Sequence, residues 1–472
     1  MKSLPIFSPD DVPIQSLNGR KVTVMGLGLF GGGSTLTKFL CKAGADVIVT
    51  DLRDEETLRP SMVELDGLPV RWVLGQHRDE DFLSADMVFA NPAVPRSADI
   101  LQRCCRKGVA LETEMNLFFK LCRGKICAIT GSNGKTTTTL LTASIASEAS
   151  PRARVGGNLG ISLLEEISAI DAADWVVLEL SSFQLEDLQA LDRRPEVSLI
   201  TNLSPNHLNR HGTYENYIEA KRVIFDAGPP YAHAIVNGDD AVLREWARTT
   251  TRRVTYYGRA SDILPSSRGV WAIDEHVYSA HGDHRTELFH KDELELAGRF
   301  NLVNAAGASA AAMAMGCARE HIRAGVRKFR PAEHRLEFVR EVDGVRNYND
   351  SIATTPESTL CAIEALGPGL ALIAGGSDKG SSFARLGHAI ARRTRGVVLI
   401  GNTADTLESA VRAVSESTPV IRAANLDEAV KHARVIACPG DSVALSPACA
   451  SYDMFTHFAE RGQRFKDAVR AL

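Results

Sequence analysis

The run Gly131-Ser132-Asn133-Gly134-Lys135-Thr136-Thr137 holds the residue types that bind a nucleotide's phosphates. Gly131 and Gly134 let the backbone turn so that its N–H groups face an anion. Lys135 can reach the terminal phosphates, and the Thr136 hydroxyl can hold Mg²⁺. Residues 126–129 (Ile-Cys-Ala-Ile) read as a buried strand ahead of this turn, and a Thr- and Ala-rich helix is expected over 136–147. Strand, loop and helix in that order are the context a phosphate loop needs. The helix N-terminus adds positive dipole at the same place. The G-x-x-x-x-G-K-[ST] pattern wants Gly where this chain has Ile129. An ordinary glycine turn before a helix is the alternative, and the order of strand, turn, Lys and Thr weighs against it. An ATP or GTP site is the expectation.

Other residues could complete such a site. A strand over 175–180 carries Glu179 near its end, placed to hold Mg²⁺ as a Walker-B acid does. The plainer reading is a strand-end carboxylate without a ligand. His207 follows a strand over 197–201 and could be a metal ligand or an ordinary surface or core histidine. Lys221, on a helix over 214–226, reads by itself as a solvated lysine. Asn301 and Asn304 share a face of a long Ala-rich helix running to about 315, where capping or packing could also explain them.

Composition narrows the function class. The chain has 472 residues, 44% apolar and 24% charged, which fits a soluble globular protein of about three domains. A net charge of −4 gives no basic field for nucleic acid or anionic lipid. The nine cysteines include no C-x-x-C pair, so neither a zinc nor a redox site is expected, and scattered thiols fit a reducing cytosol. The first 11 residues lack an apolar core and do not read as a signal peptide. The blandest run, 305–318, is too short and too rich in Ala and Gly to span a membrane.

The elements fall into three α/β units. In the first, strand 21–25, Gly26-Leu27-Gly28-Leu29-Phe30-Gly31, helix 34–43 and strand 46–50 form a βαβ unit ending at Asp51. Read alone, that G-x-G-x-x-G and its following acid suggest a dinucleotide such as NAD(P). Strand 85–90 then ends in Asn91-Pro92, a polar loop of the kind that binds ligands in open α/β sheets. The second unit holds the phosphate loop, Gly156 to Gly160 as a flexible loop, and short β segments over 251–300. In the third, His334-Arg335 precede a strand, and strand 345–349 leads to Asp350-Ser351-Ile352-Ala353-Thr354. Strand 370–374 leads to Gly375-Gly376-Ser377-Asp378-Lys379-Gly380, and strand 442–446 to Pro447-Ala448-Cys449-Ala450-Ser451.

These motifs, in this order, resemble the Mur ligases of peptidoglycan synthesis. The carriers are Thr130 to Thr136, Gly156-Gly157-Asn158-Leu159-Gly160, Glu179-Leu180-Ser181-Ser182-Phe183-Gln184-Leu185-Glu186, the Asn202 to His207 loop, Asn349-Asp350-Ser351 and Leu445 to Ser451, which span nearly the whole chain. The run around Glu179 resembles the branch that adds glutamate. The implied fold is α/β in three domains. They are a Rossmann-like N-terminal domain (1–112), a central P-loop ATPase-type domain (113–331) and a Rossmann-like C-terminal domain (332–472). The implied activity adds D-glutamate to UDP-N-acetylmuramoyl-L-alanine, with ATP and two Mg²⁺ ions, through an acyl phosphate. The implied partners are that UDP substrate and glutamate, with no nucleic acid and no membrane span. A cytoplasmic monomer is expected.

The resemblance also implies roles. Gly131, Ser132, Asn133, Gly134, Lys135, Thr136 and Thr137 would bind ATP, with Asn301, Asn304, Arg335 and Asp350. Thr136, Glu179 and His207 would serve the metals, with Lys221 as a carbamate. The catalytic set would be Lys135, Glu179, His207, Lys221 and Arg335. Leu29, Phe30, Asp51, Arg53, Asn91 and Pro92 would meet the UDP moiety, which replaces NAD(P) as the ligand of the first domain. Asn158, Gln184 and His207 would meet the muramoyl-alanyl end. Thr354, Lys379, Ser451 and Phe458 would hold glutamate. Ile352 stands where the family often has Lys, and Phe30 and Asn91 replace commoner small residues. Two alternatives remain: the same ligase chemistry with L-glutamate or another amino acid, and a P-loop NTPase switch or assembly factor. An oxidoreductase built on Gly26 to Asp51 would leave Lys135 unexplained.

Overall fold

Ile126, Cys127, Ala128 and Ile129 are all fully buried, as are Leu370, Ala371, Leu372 and Ile373. Continuous apolar strands of this kind belong to parallel sheets covered by helices on both faces. Three such sheets organise the chain. The computed structural model describes residues 17–29, 31–225, 228–229, 231–259, 268–282, 284–296, 298–331, 333–377 and 382–472.

The first sheet runs Val70–Leu74, Asp46–Asp51, Lys21–Met25, Met87–Ala90, Ala110–Glu112, all parallel. That 3-2-1-4-5 order opens a crevice beside Lys21–Met25, where the strand order reverses.

The second sheet has nine strands. Lys125–Thr130 lies between Trp175–Glu179 and Val197–Ile200, and Arg154–Gly157 forms the edge beyond Trp175–Glu179. On the other side follow His233–Asn237, Arg253–Gly258 and Gly269–Ile273, all parallel, then the antiparallel strands His276–His281 and His284–His290. Residues 156–160, read above as a flexible loop, therefore begin as an edge strand. Glycine is needed there because a Cβ on Gly157 would lie 2.2 Å from the Glu179 carbonyl oxygen. The helix expected over 214–226 is Tyr214–Arg222.

The third sheet runs Glu337–Val342, Val345–Asn349, Ser442–Leu445, Leu370–Gly375, Gly396–Ile400, Val420–Arg422, with only the first pair antiparallel. Separate apolar clusters fill its two faces, around Leu372 and around Ile373.

By contacts the chain forms two compact units. One runs to Lys291 and adds Val303–Lys328; the other takes Asp292–Leu302 and Phe329–Leu472. The first holds the first two sheets, with a common core that joins Val22 and Val47 to Ile126 and Leu178. Among the described residues no helix is long and apolar enough to cross a membrane. All nine cysteines are free thiols, and Cys438 alone is exposed.

Candidate active site

Loops from Lys125–Thr130, Trp175–Glu179 and Val197–Ile200 converge at the C-terminal ends of these strands. Gly131 has φ 142°, and a Cβ there would stand 1.9 Å from Thr201 Oγ1. Gly134 has φ 80°, and its Cβ would stand 2.5 Å from Asn304 Oδ1. Both positions require glycine. The loop is pinned from below. Ser132 N–H donates to the Asn202 carbonyl at 2.8 Å, Asn133 N–H to Asn202 Oδ1 at 3.1 Å, and Ser132 Oγ to the Ser204 carbonyl at 2.9 Å. The Tyr217 hydroxyl lies 2.9 Å from Ser132 Oγ. Lys135 opens the helix Lys135–Ala149, and its Nζ donates back to the Ser132 carbonyl at 3.0 Å. The N-cap, Gly134, has no side chain to spend on the first-turn N–H groups. Thr136 and Thr137 follow in that turn. The arrangement leaves first-turn N–H groups that could meet an anion, with a lysine folded across them.

Glu179 closes its strand and is buried. Asn158 Nδ2 donates to its Oε1 at 2.8 Å, while Oε2 is buried with no hydrogen-bond partner. A buried carboxylate oxygen left this way is costly unless a cation meets it. Lys221 is also buried; its Nζ donates to Thr130 Oγ1 at 3.2 Å and lies 4.8 Å from the Tyr217 ring centre. Burial, then the charge of Lys135, hold Lys221 well below the ordinary lysine pKa, against the pull of Glu179. Among the described residues no three His, Cys, Asp or Glu side chains converge as a ready metal cage. Mg²⁺ suits such a place, because it takes one or two carboxylates and completes its shell with phosphate and water oxygens. His207 is exposed at the start of Leu208–His211, with φ 52° and its ring 5.0 Å from that of Phe183.

In the first sheet, Asp51 is buried at the mouth of the crevice. Its Oδ2 accepts from Gly28 N–H at 3.3 Å and its Oδ1 from Arg53 N–H at 3.0 Å. Asn91 Nδ2 donates to the Gly26 carbonyl at 3.3 Å. Leu29 is exposed on the same loop. Phe30 lies outside the described residues. The carbonyls of Pro92 and Ala93 accept from the Arg210 guanidinium at 3.5 and 3.2 Å. Gln184 is buried, and its Oε1 accepts from Ser181 N–H at 2.9 Å in a capping box.

In the second unit, Asp350 ends Val345–Asn349 and is buried. It accepts from Ser446 Oγ at 2.7 Å and from Leu336 N–H at 3.1 Å. Burial pushes its carboxyl up to about 7, with Ser446 and Arg335 pulling the other way. Ile352 N–H donates to the His334 carbonyl at 3.2 Å, and Thr354 follows that turn. Ser451 is buried, and its carbonyl accepts from Phe455 N–H at 2.8 Å. Phe458 opens the helix Phe458–Arg470 and packs edge-on against His334. Asn301 is buried at the start of Arg299–Ala314. Lys379 lies outside the described residues.

Several supports went unread in the sequence. Arg461, almost wholly buried, binds Ser351 Oγ at 3.0 Å and the Ser351 and Cys449 carbonyls at 2.9 and 3.1 Å, so it ties two site loops together. His211 lies 2.9 Å from Ser182 Oγ and 3.0 Å from Glu186 Oε1, beneath Phe183. Nothing local marks either residue. Tyr217 did carry a signal, being one helical turn before Lys221.

Three family models match the chain in order. Mur ligase MurD-like, N-terminal domain covers residues 20–112, Mur ligase middle domain covers 129–312, and Mur ligase, glutamate ligase domain covers 334–449. The chain is 44% identical over 463 residues to a UDP-N-acetylmuramoylalanine–D-glutamate ligase of Roseiflexus sp. (strain RS-1), spanning 97% of this chain and 99% of the relative. It is 38% identical to the enzyme of that name from Alkaliphilus oremlandii, spanning 97% and 100%. The structure of the UDP-N-acetylmuramate–alanine ligase MurC from Thermotoga maritima aligns with TM-score 0.63 over 96% of this chain and 99% of that one. At 17% identity that likeness is one of fold.

The chain belongs to the Mur ligase family, the three-domain α/β ligases that use ATP and generally require Mg²⁺. Within that family its N-terminal part matches the MurD-like model, and both relatives carry the D-glutamate ligase name.

Proposed function

We infer that this chain joins D-glutamate to UDP-N-acetylmuramoyl-L-alanine at the expense of ATP. The observation that carries the reading is full-length identity of 44% to a ligase of that name. The chemistry follows from the reactants. A carboxylate is a poor acyl donor, so one alanyl carboxylate oxygen attacks the γ-phosphorus and ADP departs. The deprotonated amine of glutamate then attacks the acyl carbon, and the C–O bond to phosphate breaks, leaving an amide.

The chain's residues divide this work. Gly131 to Thr137 hold the phosphates, and Lys135 neutralises charge on the transferring group. Glu179 Oε2 and the Thr136 hydroxyl offer oxygens to Mg²⁺, with His207 a third ligand. Two Mg²⁺ ions, when bound, clamp the negative charge that builds during transfer. Lys221, as the neutral amine its burial favours, would add to CO₂ with loss of one N–H proton, and the resulting carbamate would supply a negative charge suited to the cations. Asn301, Asn304, Arg335 and Asp350 serve the rest of ATP. Leu29, Phe30, Asp51, Arg53, Asn91 and Pro92 form the UDP pocket, and Asn158, Gln184 and His207 meet the muramoyl-alanyl end. Thr354, Lys379, Ser451 and Phe458 hold glutamate. Domain 1–112 binds the UDP substrate, domain 113–331 binds ATP and domain 332–472 binds glutamate, and the enzyme works as a cytoplasmic monomer.

Ile352 gives one specific reason to keep L-glutamate as a second reading, since a cation is commoner there in the family. The test is phosphate release with ATP, Mg²⁺ and UDP-N-acetylmuramoyl-L-alanine, with each glutamate enantiomer added separately and the product weighed. Release and a new amide with D-glutamate alone is the expected result. Preference for L-glutamate would move the enzyme to another substrate, and release indifferent to both would make it a nucleotide switch.

A further inference from the structure

The phosphate loop leaves the central sheet at the C-terminal ends of its parallel strands. A second concavity, of about 540 Å³, lies where His233–Asn237 and Arg253–Gly258 begin. It is separated from the phosphate-loop end by a strand length, about 16 Å.

Register explains its lining. His233 pairs with Arg253, Tyr256 with Gly269, Gly269 with Ala280, and His281 with His284. Side chains alternate along a strand and keep phase across a ladder. His233, Arg253, Thr255, Arg268, His281 and His284 therefore share one face, and all six line the cavity. Ala310, Met313 and Ala314, at the end of Arg299–Ala314, supply an apolar wall.

The charge is one-sided. Two guanidiniums and three imidazoles line the space, and no acidic side chain among the described residues does. Among the described residues neither Arg253 nor Arg268 has a side-chain hydrogen bond or ion pair. Other arginines do pair with carboxylates, as Arg96 does with Asp187 and Arg395 with Asp441. Nor are the two needed to cap the neighbouring helix. The carbonyls of Ala311, Ala312 and Met313 already accept from the N–H groups of Met315, Cys317 and Gly316. His233 Nδ1 is buried without a partner, and burial and both arginines hold that imidazole below its ordinary pKa. An anion between the arginines would remove their repulsion and reverse the sign of the field on His233.

We propose that this cavity is a second anion site, which takes a small phosphorylated molecule through Arg253 and Arg268. Guanidinium forks match phosphate oxygens in pairs, and the volume is that of a small-molecule site. The helix that walls it also carries Asn304, which abuts Gly134, so one rigid element touches both sites.

The test follows histidine imidazole resonances of the full chain, with Lys135→Ala introduced to weaken phosphate binding at the first site. Pyrophosphate is the first probe and a nucleoside diphosphate the second. The expected result is an upward move of the His233 titration midpoint by about one pH unit, which is lost when Arg253→Gln and Arg268→Gln are combined. Both arginines are exposed, so the double variant is expected to keep the unmodified chain's melting temperature. Stronger binding of the nucleoside diphosphate would give the apolar wall to a base or sugar; equal binding would leave recognition to the phosphate groups that the two probes share. Either supports the proposal. No shift at millimolar probe, or a shift that survives loss of both arginines, overturns it.

Discussion

Glu179 holds one oxygen against Asn158 and leaves the other buried and unmet. That is a poor arrangement for stability and a good one for gripping a cation. Glu179→Gln is expected to lower kcat by roughly a hundredfold or more, the scale of losing one preorganised electrostatic group, while the melting temperature holds or rises. Equal loss of both would make the residue structural. Lys221 is judged by chemistry instead. Lys221→Ala should abolish ligation, and short carboxylates in the buffer should restore part of it by standing in for the carbamate; full activity without them would end that role. Asp350 gives a pH signature. Its carboxyl titrates near 3.9 unfolded and at about 7 folded. Between those values the folded chain holds the extra proton, so stability falls as pH rises through the window. Asp350→Asn should melt at least about 2 °C above the unmodified chain at pH 8, with the difference closing toward pH 4.

At the scale of elements, the phosphate loop was legible because its signal is local. Two glycines, a lysine and a threonine between an apolar strand and a helix leave few other conformations. Gly134→Ala tests how literally that holds. Its left-handed φ and the 2.5 Å approach to Asn304 predict a destabilisation of about 1–2 kcal/mol. The same change should weaken ATP binding at least tenfold by calorimetry. The edge strand Arg154–Gly157 was not legible, because its glycines suggest freedom when read alone. They are there for close approach to Glu179 and Leu163, and such a cause exists only once the strands have paired. Arg461 was hidden for the same reason: its partners are carbonyls more than ten and more than a hundred residues away.

For the whole molecule, three α/β units could be read from their repeated strand–glycine loop–helix pattern, but not how neighbouring sheets are joined. In the first unit Arg96 reaches from the first sheet's last long loop to Asp187 of the central domain, its Nε 2.5 Å from Oδ1. Burial holds the Asp187 carboxyl up at about 6, against the pull of Arg96. Arg96→Met strands that carboxylate. The expected loss is about 1–3 kcal/mol, below that of a fully enclosed pair because Arg96 is 25% exposed. It should be larger at pH 8 than at pH 5, where Asp187 can take a proton, and denaturant melts at both pH values would check it.

The thiols carry a consequence for experiment. With Cys438 alone at the surface and eight others wholly or partly covered, a colourless disulfide reagent becomes a clock for opening of the chain. One sulfur should react at once in the native protein. The rest should follow in the order their surroundings loosen, Cys122 and Cys127 reporting on the central domain and Cys449 on the last sheet. Added substrates that quiet one group and not the other would then show which part of the enzyme each of them steadies, without a single engineered label.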